Sequence, residues 1–198
     1  MNLHILHPTK NRTTGTPGFM AKSNNFDLEQ TIQLKGHGRV KLRPIRLDDE
    51  PRMIKFHEAL SEESIYLRYF EHISLDTRTL HERLAKVCAN STDSYAIVAE
   101  SHGTKQHPSE ILAVGRLTTT DLPGVAGFAM LVADKVQDTD LAREVLKRLF
   151  AIARAHDYHT LKGELLVADH DNLNLCRSFG FNLQTVPEDG IVKVTYPL

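Results

Sequence analysis

The side chains able to do chemistry are scattered along the chain rather than arrayed in one motif. Cys88 and Cys176 stand far apart, in no metal-ligating spacing, which argues against a zinc module or a disulfide scaffold. His156-x-x-His159 straddles the end of a helical pattern. There a protonated imidazole is favoured by the helix dipole, so the pair reads as a helix-end feature before a metal site, and no metal is expected. His57 and His81 fall on separate helical stretches. Each is a candidate base, though a satisfied, partly buried structural histidine is the commoner case. Glu62, Glu63 and Glu82 read as solvated acids. No Ser/His/Asp spacing and no Walker loop is present.

Composition narrows the classes further. The 198 residues suit one domain with a tail, or a single elaborated domain. Hydrophobic residues make up 41% and charged residues 25%, which excludes wholesale disorder. A formal net charge of −1 argues against a broad basic face for nucleic acid. No apolar run approaches the ~20 residues of a membrane helix. His4 interrupts Leu3, Ile5 and Leu6, so no signal peptide is expected. With only two distant cysteines, a reducing cytoplasm is the expected compartment.

The positioning elements follow from periodicity. Residues 1–38, rich in Thr, Asn, Gly, Pro and His, read as a flexible N-terminal tail with a short strand near Thr31–Leu34. The compact domain, 39–198, opens with Val40–Arg46, a strand with one wet face. Asp48 is expected to cap a helix with Pro51 early and Met53, Ile54, Phe56, His57 and Leu60 inside. A second helix runs from Ser61 to Phe70, and a third starts at Asp76 with Leu80, Leu84, Val87 and Cys88 at helical spacing. The period then switches to strands over Ser94–Glu100, Glu110–Thr119 and Val125–Ala133. The longest helix follows, with Leu141, Ala142, Val145, Leu146, Leu149, Phe150 and Ala153 on its apolar face. Leu161–Ala168 is a strand, Asp171–Phe179 a helix stopped by Gly180, and Phe181–Thr185 with Ile191–Tyr196 a closing hairpin.

Taken in order, motifs on these elements resemble GNAT N-acetyltransferases, and within that superfamily the GNAT domain of bacterial Pat-type protein lysine acetyltransferases. The residues that carry the resemblance are Lys41-Leu-Arg-Pro-Ile-Arg46 with Asp49-Glu50, and Phe56-His-x-x-Leu60-Ser-Glu-Glu-Ser64-x-Tyr66-Leu-Arg68-Tyr-Phe70. His81-Glu-Arg-Leu84, Val114-Gly-Arg-Leu117 and Phe179-Gly-Phe181 continue it, so that it covers about 39–198. The resemblance implies an α/β (α+β) GNAT fold: a central mixed, mostly antiparallel sheet with helices on both faces and a splayed strand pair.

It also implies a site for acetyl-CoA or another acyl-CoA as cosubstrate. In the family, free backbone N–H groups at a helix start bind the CoA pyrophosphate. That segment is here Val136-Gln-Asp-Thr-Asp-Leu-Ala142. Gln137 and Ala142 match the family pattern, whereas Asp138 and Asp140 stand where glycine is usual. The carried-over cosubstrate positions are Leu131, Val132, Gln137, Asp138, Thr139, Asp140, Leu141, Ala142 and Arg143, with a backbone N–H near Leu131 or Val132 holding the thioester carbonyl. Asp138 and Asp140 read alternatively as helix-capping acids. The family's acidic base falls at Gly127, in Ala126-Gly-Phe-Ala129, and glycine cannot take a proton. Asp169 stands at a usual Asn, where it would bind the acceptor amine or cap the next helix. Cys176 stands where a tyrosine acid is common, and reads also as a small buried hydrophobe.

Two functions follow as expectations. One is acyl transfer from acyl-CoA to an amine, a protein lysine or a small molecule. The other is a GNAT domain that has lost catalysis and serves as a binding or regulatory module.

Overall fold

The computed structural model describes residues 29–104 and 108–198. Residues 1–28, most of the expected tail, lie outside that range. The remainder of that stretch is part of the fold: β1 (Gln30–Leu34) pairs antiparallel with β2 (Gly38–Pro44) through a tight turn. Leu34 is buried and Ile32 packs on the core, so the ordered domain begins before Arg39.

Helices α1 (Glu50–Glu58), α2 (Glu62–Tyr69), α3 (Leu75–Arg78) and α4 (His81–Cys88) precede β3 (Ser94–Ser101), β4 (Ile111–Thr119) and β5 (Val125–Val132). Then come α5 (Leu141–Ala155), β6 (Thr160–Leu166), α6 (His170–Phe179), β7 (Asn182–Val186) and β8 (Ile191–Pro197). Among the described residues eight strands form one sheet, in the order β1-β2-β3-β4-β5-β6-β8-β7. Every neighbouring pair is antiparallel except β5 with β6. This is the mixed, mostly antiparallel sheet expected.

One face of the sheet carries α5 and α6. The α5 stripe of Leu141, Val145, Leu146, Leu149, Phe150, Ile152 and Ala153 is buried, as its 3.6-residue period demands. α5 comes so close to β4 that a Cβ on Gly115 would meet Val145 Cγ1 at 2.7 Å, and glycine is what allows that approach. α6 lies beside it, with Phe150 against Phe179 and Arg143 over the Phe179 ring. The opposite face carries α1, α2 and α4, where Arg116 of β4 donates to the Val87 carbonyl of α4.

Three local expectations are corrected. The third helix is broken into α3 and α4, because Thr79 closes the first and Leu80, extended at φ −53° and ψ 129°, precedes the second. Leu80 is 57% exposed and does not belong to the inner stripe. The wet face of the first domain strand does not exist at Arg43, which is 1% exposed. Its guanidinium donates to both Asp49 carboxylate oxygens, at 2.7 and 2.8 Å, and to Glu100 at 2.7 Å. Asp48 is exposed and caps nothing. The buried neighbour Asp49 accepts from the Arg46 N–H at 2.8 Å and fixes the strand-to-helix corner.

Candidate functional site

β5 and β6 pair at only three positions, Val125↔Thr160, Ala126↔Leu161 and Gly127↔Lys162. Beyond them β5 stays on β4 through Val132, and β6 stays on β8 through Leu166. The two strands therefore part at Phe128 and Gly163. The opening is a cleft of about 440 Å³ bounded by α2, the start of α5 and α6. The splay leaves backbone groups without ladder partners, and it is the feature the rest of the site depends on.

Which groups face the cleft follows from register. The Ala133 N–H donates to the Leu112 carbonyl at 2.8 Å. Antiparallel ladder bonds recur at every second residue, so Leu131, Ala129 and Gly127 also turn their backbone groups to β4. Phe128, Met130 and Val132 turn theirs to the cleft. Of the two expected positions, the Leu131 N–H faces β4, while the Val132 N–H faces the cleft together with that of Met130. The Leu131 side chain still lines the cleft.

The helix start supplies more donors. The Glu144 N–H bonds to the Asp140 carbonyl and the Leu141 N–H to Thr139 Oγ1 at 3.2 Å. Among the described residues the N–H groups of Asp138, Asp140, Ala142 and Arg143 have no acceptor. Gln137, Asp138, Thr139, Asp140, Ala142 and Arg143 all line the cleft, whereas the Leu141 side chain is fully buried in the core. Asp140 holds the cap position but makes no side-chain cap bond; Thr139 Oγ1 accepts from the Leu141 N–H instead, which leaves the two aspartates only a dipole interaction with the helix start. Asp140 at φ −74° needs no glycine, so the departure from the glycine pattern costs the backbone nothing. Both carboxylates stand exposed on the cleft wall.

A second tie was not foreseen. Asp134 accepts from the Ser61 N–H at 2.9 Å, Ser61 Oγ at 2.6 Å and Ser64 Oγ at 2.7 Å. Partial burial would raise its carboxyl, but the hydrogen bonds from Ser61 and Ser64 prevail and hold it below the usual carboxylate range. Gln137 Nε2 donates to Ser64 Oγ at 2.9 Å. Together these residues clamp the start of α2 to the segment leading into α5. Nothing local in the sequence marks Asp134, because its partners are 70 and 73 residues away.

At the α6 end, Asp169 and Cys176 both line the cleft and both are buried. Asp169 accepts from the Asn172 N–H at 3.2 Å and from Asn172 Nδ2 at 3.0 Å, so it is the cap of α6. Burial raises its pKa. Burial, and then the Asp169 charge, push the Cys176 thiol up to about 12. At neutral pH this sulfur keeps its hydrogen and is a poor net proton source.

The position at which the resemblance places an acidic base is Gly127, which has no side chain to take a proton. A Cβ at Gly127 would lie 2.7 Å from Thr118 Oγ1, on the α2 face of the sheet. His57 and His81 are not on the cleft wall. His57 is buried, and His81 is exposed and bonded to Glu50 at 2.7 Å. Glu164 of β6, which sequence reasoning missed, does line the cleft. A Cβ on Gly163 would point at the Phe128 ring on the α5 face, so strand alternation puts Glu164 on the α2 face, the same face as Gly127. Among the described residues no cluster of three His, Cys, Asp or Glu could hold a metal, and no helix is long and apolar enough to cross a membrane.

No protein-family model matches the chain. Solved structures do. The GNAT domain of S. lividans PAT is 25% identical, with a TM-score of 0.72 over 86% of this chain and 97% of that one. Mycobacterium smegmatis RimJ, solved in complex with CoA-disulfide, is 14% identical with a TM-score of 0.66 over 85% and 86%. The acetyltransferase yncA from Salmonella typhimurium, solved with acetyl-CoA, is 14% identical with a TM-score of 0.59 over 80% and 94%. The chain has the fold of the GNAT acetyltransferases, whose general activity is acyl transfer from acyl-CoA to an amine.

Proposed function

We propose that this chain is an acyl-CoA-dependent N-acyltransferase, with acyl-CoA bound in the β5–β6 splay and an amine, a protein lysine by its resemblance to the Pat-type domain, approaching from the α2 side. The observation that carries the reading is the coincidence of unpaired N–H groups on β5 with unpaired N–H groups at the start of α5, along one cleft. The α5 N–H groups of Ala142 and Arg143 suit phosphate oxygens, and the β5 N–H groups of Met130 and Val132 suit pantetheine and the thioester carbonyl.

Glu164 takes the part that Gly127 cannot. It accepts a proton from the incoming ammonium, directly or through one water, and frees the nitrogen lone pair. The C–N bond forms and the C–S bond breaks, and the sulfur leaves with the electron pair. The second proton on nitrogen returns to that sulfur, so charge and atoms balance. Cys176 donates a hydrogen bond to the leaving sulfur without giving up its own proton.

A second reading, a CoA-binding module without turnover, is favoured by Asp138 and Asp140 at the phosphate end and by Gly127. CoA release on mixing the full chain with acetyl-CoA and a lysine peptide separates the two. The enzyme reading expects turnover that falls at least tenfold in Glu164→Gln at neutral pH. Saturable acetyl-CoA binding without CoA release from the wild type would establish the module instead.

A further inference from the structure

Behind the α2 wall of the cleft lies a concentration of positive charge with almost no counter-charge. Arg68 of α2 lines the cleft and is half-buried. Its guanidinium lies 4.9 Å from the centre of the Tyr69 ring, and Arg83 of α4 lies 5.2 Å from the same centre. Neither guanidinium has a hydrogen-bond acceptor or carboxylate partner among the described residues. Arg116, on the same face of β4, is bonded only to neutral oxygens, Ser94 Oγ and the Val87 carbonyl. Arg78 of α3 is 3% exposed, and its Nε and Nη1 are buried without a partner. Its nearest carboxylate, exposed Glu62, is 3.9 Å away. His57 Nδ1 is likewise buried and unpartnered.

These groups act on one another. Burial, and then the charges of Arg78, Arg83 and Arg68, bring His57 down to about 4, so it is neutral at physiological pH and offsets none of the charge. Arg116 feels Arg68 in the same way. Holding one buried and three half-buried guanidinium groups beside one marginal carboxylate is costly unless something anionic completes the set.

The geometry points to a binding site for an anionic group of the acceptor, a carboxylate or phosphate carried near the reacting amine, with Arg68 as its direct contact and Arg78, Arg83 and Arg116 supplying the field behind it. This rests on the acyltransferase reading for the word acceptor, though not for the anion itself. Arg68 and Glu164 both line the cleft on its α2 side, so an acceptor with opposite charges meets opposite charges. Its ammonium faces Glu164 and its anion faces Arg68. For a peptide, the class is a lysine with an acidic neighbour. A guanidinium presents a planar fork matched to carboxylate and phosphate oxygens, which a lysine at this position would not.

The test is an NMR titration of the full chain at low salt, read at the arginine Nε–Hε and backbone amide signals. The probes are succinate, its neutral isostere succinamide, and inorganic phosphate. The inference expects succinate or phosphate to bind roughly tenfold or more tightly than succinamide, with shifts centred on Arg68 and Arg83. The ratio of succinate to phosphate then assigns the anion. Arg68→Gln should abolish the preference, Arg68→Lys should keep part of it, and the more peripheral Arg83→Gln should weaken it about threefold, which gives a second readout if Arg68→Gln fails to fold. Equal binding of succinate and succinamide, or a preference that survives in folded Arg68→Gln, overturns the inference. A parallel titration with CoA tests the acyltransferase reading separately: absence of CoA binding would sink that reading and leave the anion preference fully measurable.

Discussion

Neutralising Asp138 and Asp140 together, as Asp138→Asn plus Asp140→Asn, should tighten CoA binding by a calculable amount. Both carboxylates stand exposed on the cleft wall next to the free N–H groups of Ala142 and Arg143. A phosphate bound by those groups would lie ~5 Å from each carboxylate. At that distance a unit pair repels by about 1 kcal/mol in water and by about 3 kcal/mol at an effective dielectric of 20. Exposure argues for the lower value, so the pair withholds roughly ten- to thirtyfold in affinity at low salt. The Debye length falls to ~3 Å at 1 M salt, which should shrink the gain to about twofold or less. Asparagine keeps the shape and adds no backbone freedom. Asp140 makes no cap bond to lose, so stability should fall only by the lost dipole interaction, roughly 0.3–1 kcal/mol per site. Calorimetric CoA titrations at low and high salt, with melting curves on the same samples, measure all of this. Unchanged affinity at low salt, or a gain that persists at high salt, would refute the electrostatic argument and with it the placement of phosphate at the start of α5.

Three further outcomes are expected. His57→Gln should flatten the pH dependence of stability between about pH 6.5 and 4: the folded value of about 4 lies below the unfolded 6.5, so wild-type stability is full above 6.5 and falls by about 3 kcal/mol on acidification through that window, as urea melts at several pH values will read. Asp49→Asn should cost about 3 kcal/mol or more at pH 7, because it leaves buried Arg43 without its bidentate partner; since the Asp49 carboxyl is held low against burial by Arg43 and Arg46, the wild-type contribution is present above the ordinary aspartate range and lost only as pH falls through the lowered value, so the variant's acid limb should be shallower. Gly127→Glu alone should be inactive or unstable because its Cβ meets Thr118 Oγ1, whereas Gly127→Glu with Thr118→Ala should raise CoA release if a base is what limits the rate; equal turnover in the double variant and wild type would show that Glu164 already suffices.

Where a pattern repeats locally, the sequence sufficed. The α5 stripe and the switch from helical to strand period at β3 to β5 need no distant information, and they fix the sheet-and-helix sandwich in which the splay occurs. Long-range pairing was invisible. Arg43 looked like one basic residue among several on a wet strand face, and only Asp49 and Glu100 packed around it make it a core residue. Leu80 matched a helical spacing, yet no glycine or proline announces the break before it. In the site, the helix-start segment was legible as a stretch, but not which of its groups work. Thr139 rather than Asp140 serves the helix end, and the register with β4 selects Met130 over Leu131. Glu164 was hidden for a similar reason, because its face is set by the neighbour that Gly163 must accommodate.

The central claim is that the β5–β6 splay and the start of α5 form one acyl-CoA site. Acetyl-CoA titrated into the isotope-labelled full chain, followed by amide NMR, tests it most directly. The account predicts saturable, one-to-one shifts centred on Met130 and Val132 of β5 and on Ala142 and Arg143 of α5, with little change in β1 to β3. No saturable shift up to millimolar acetyl-CoA, or shifts centred away from the cleft, would contradict it.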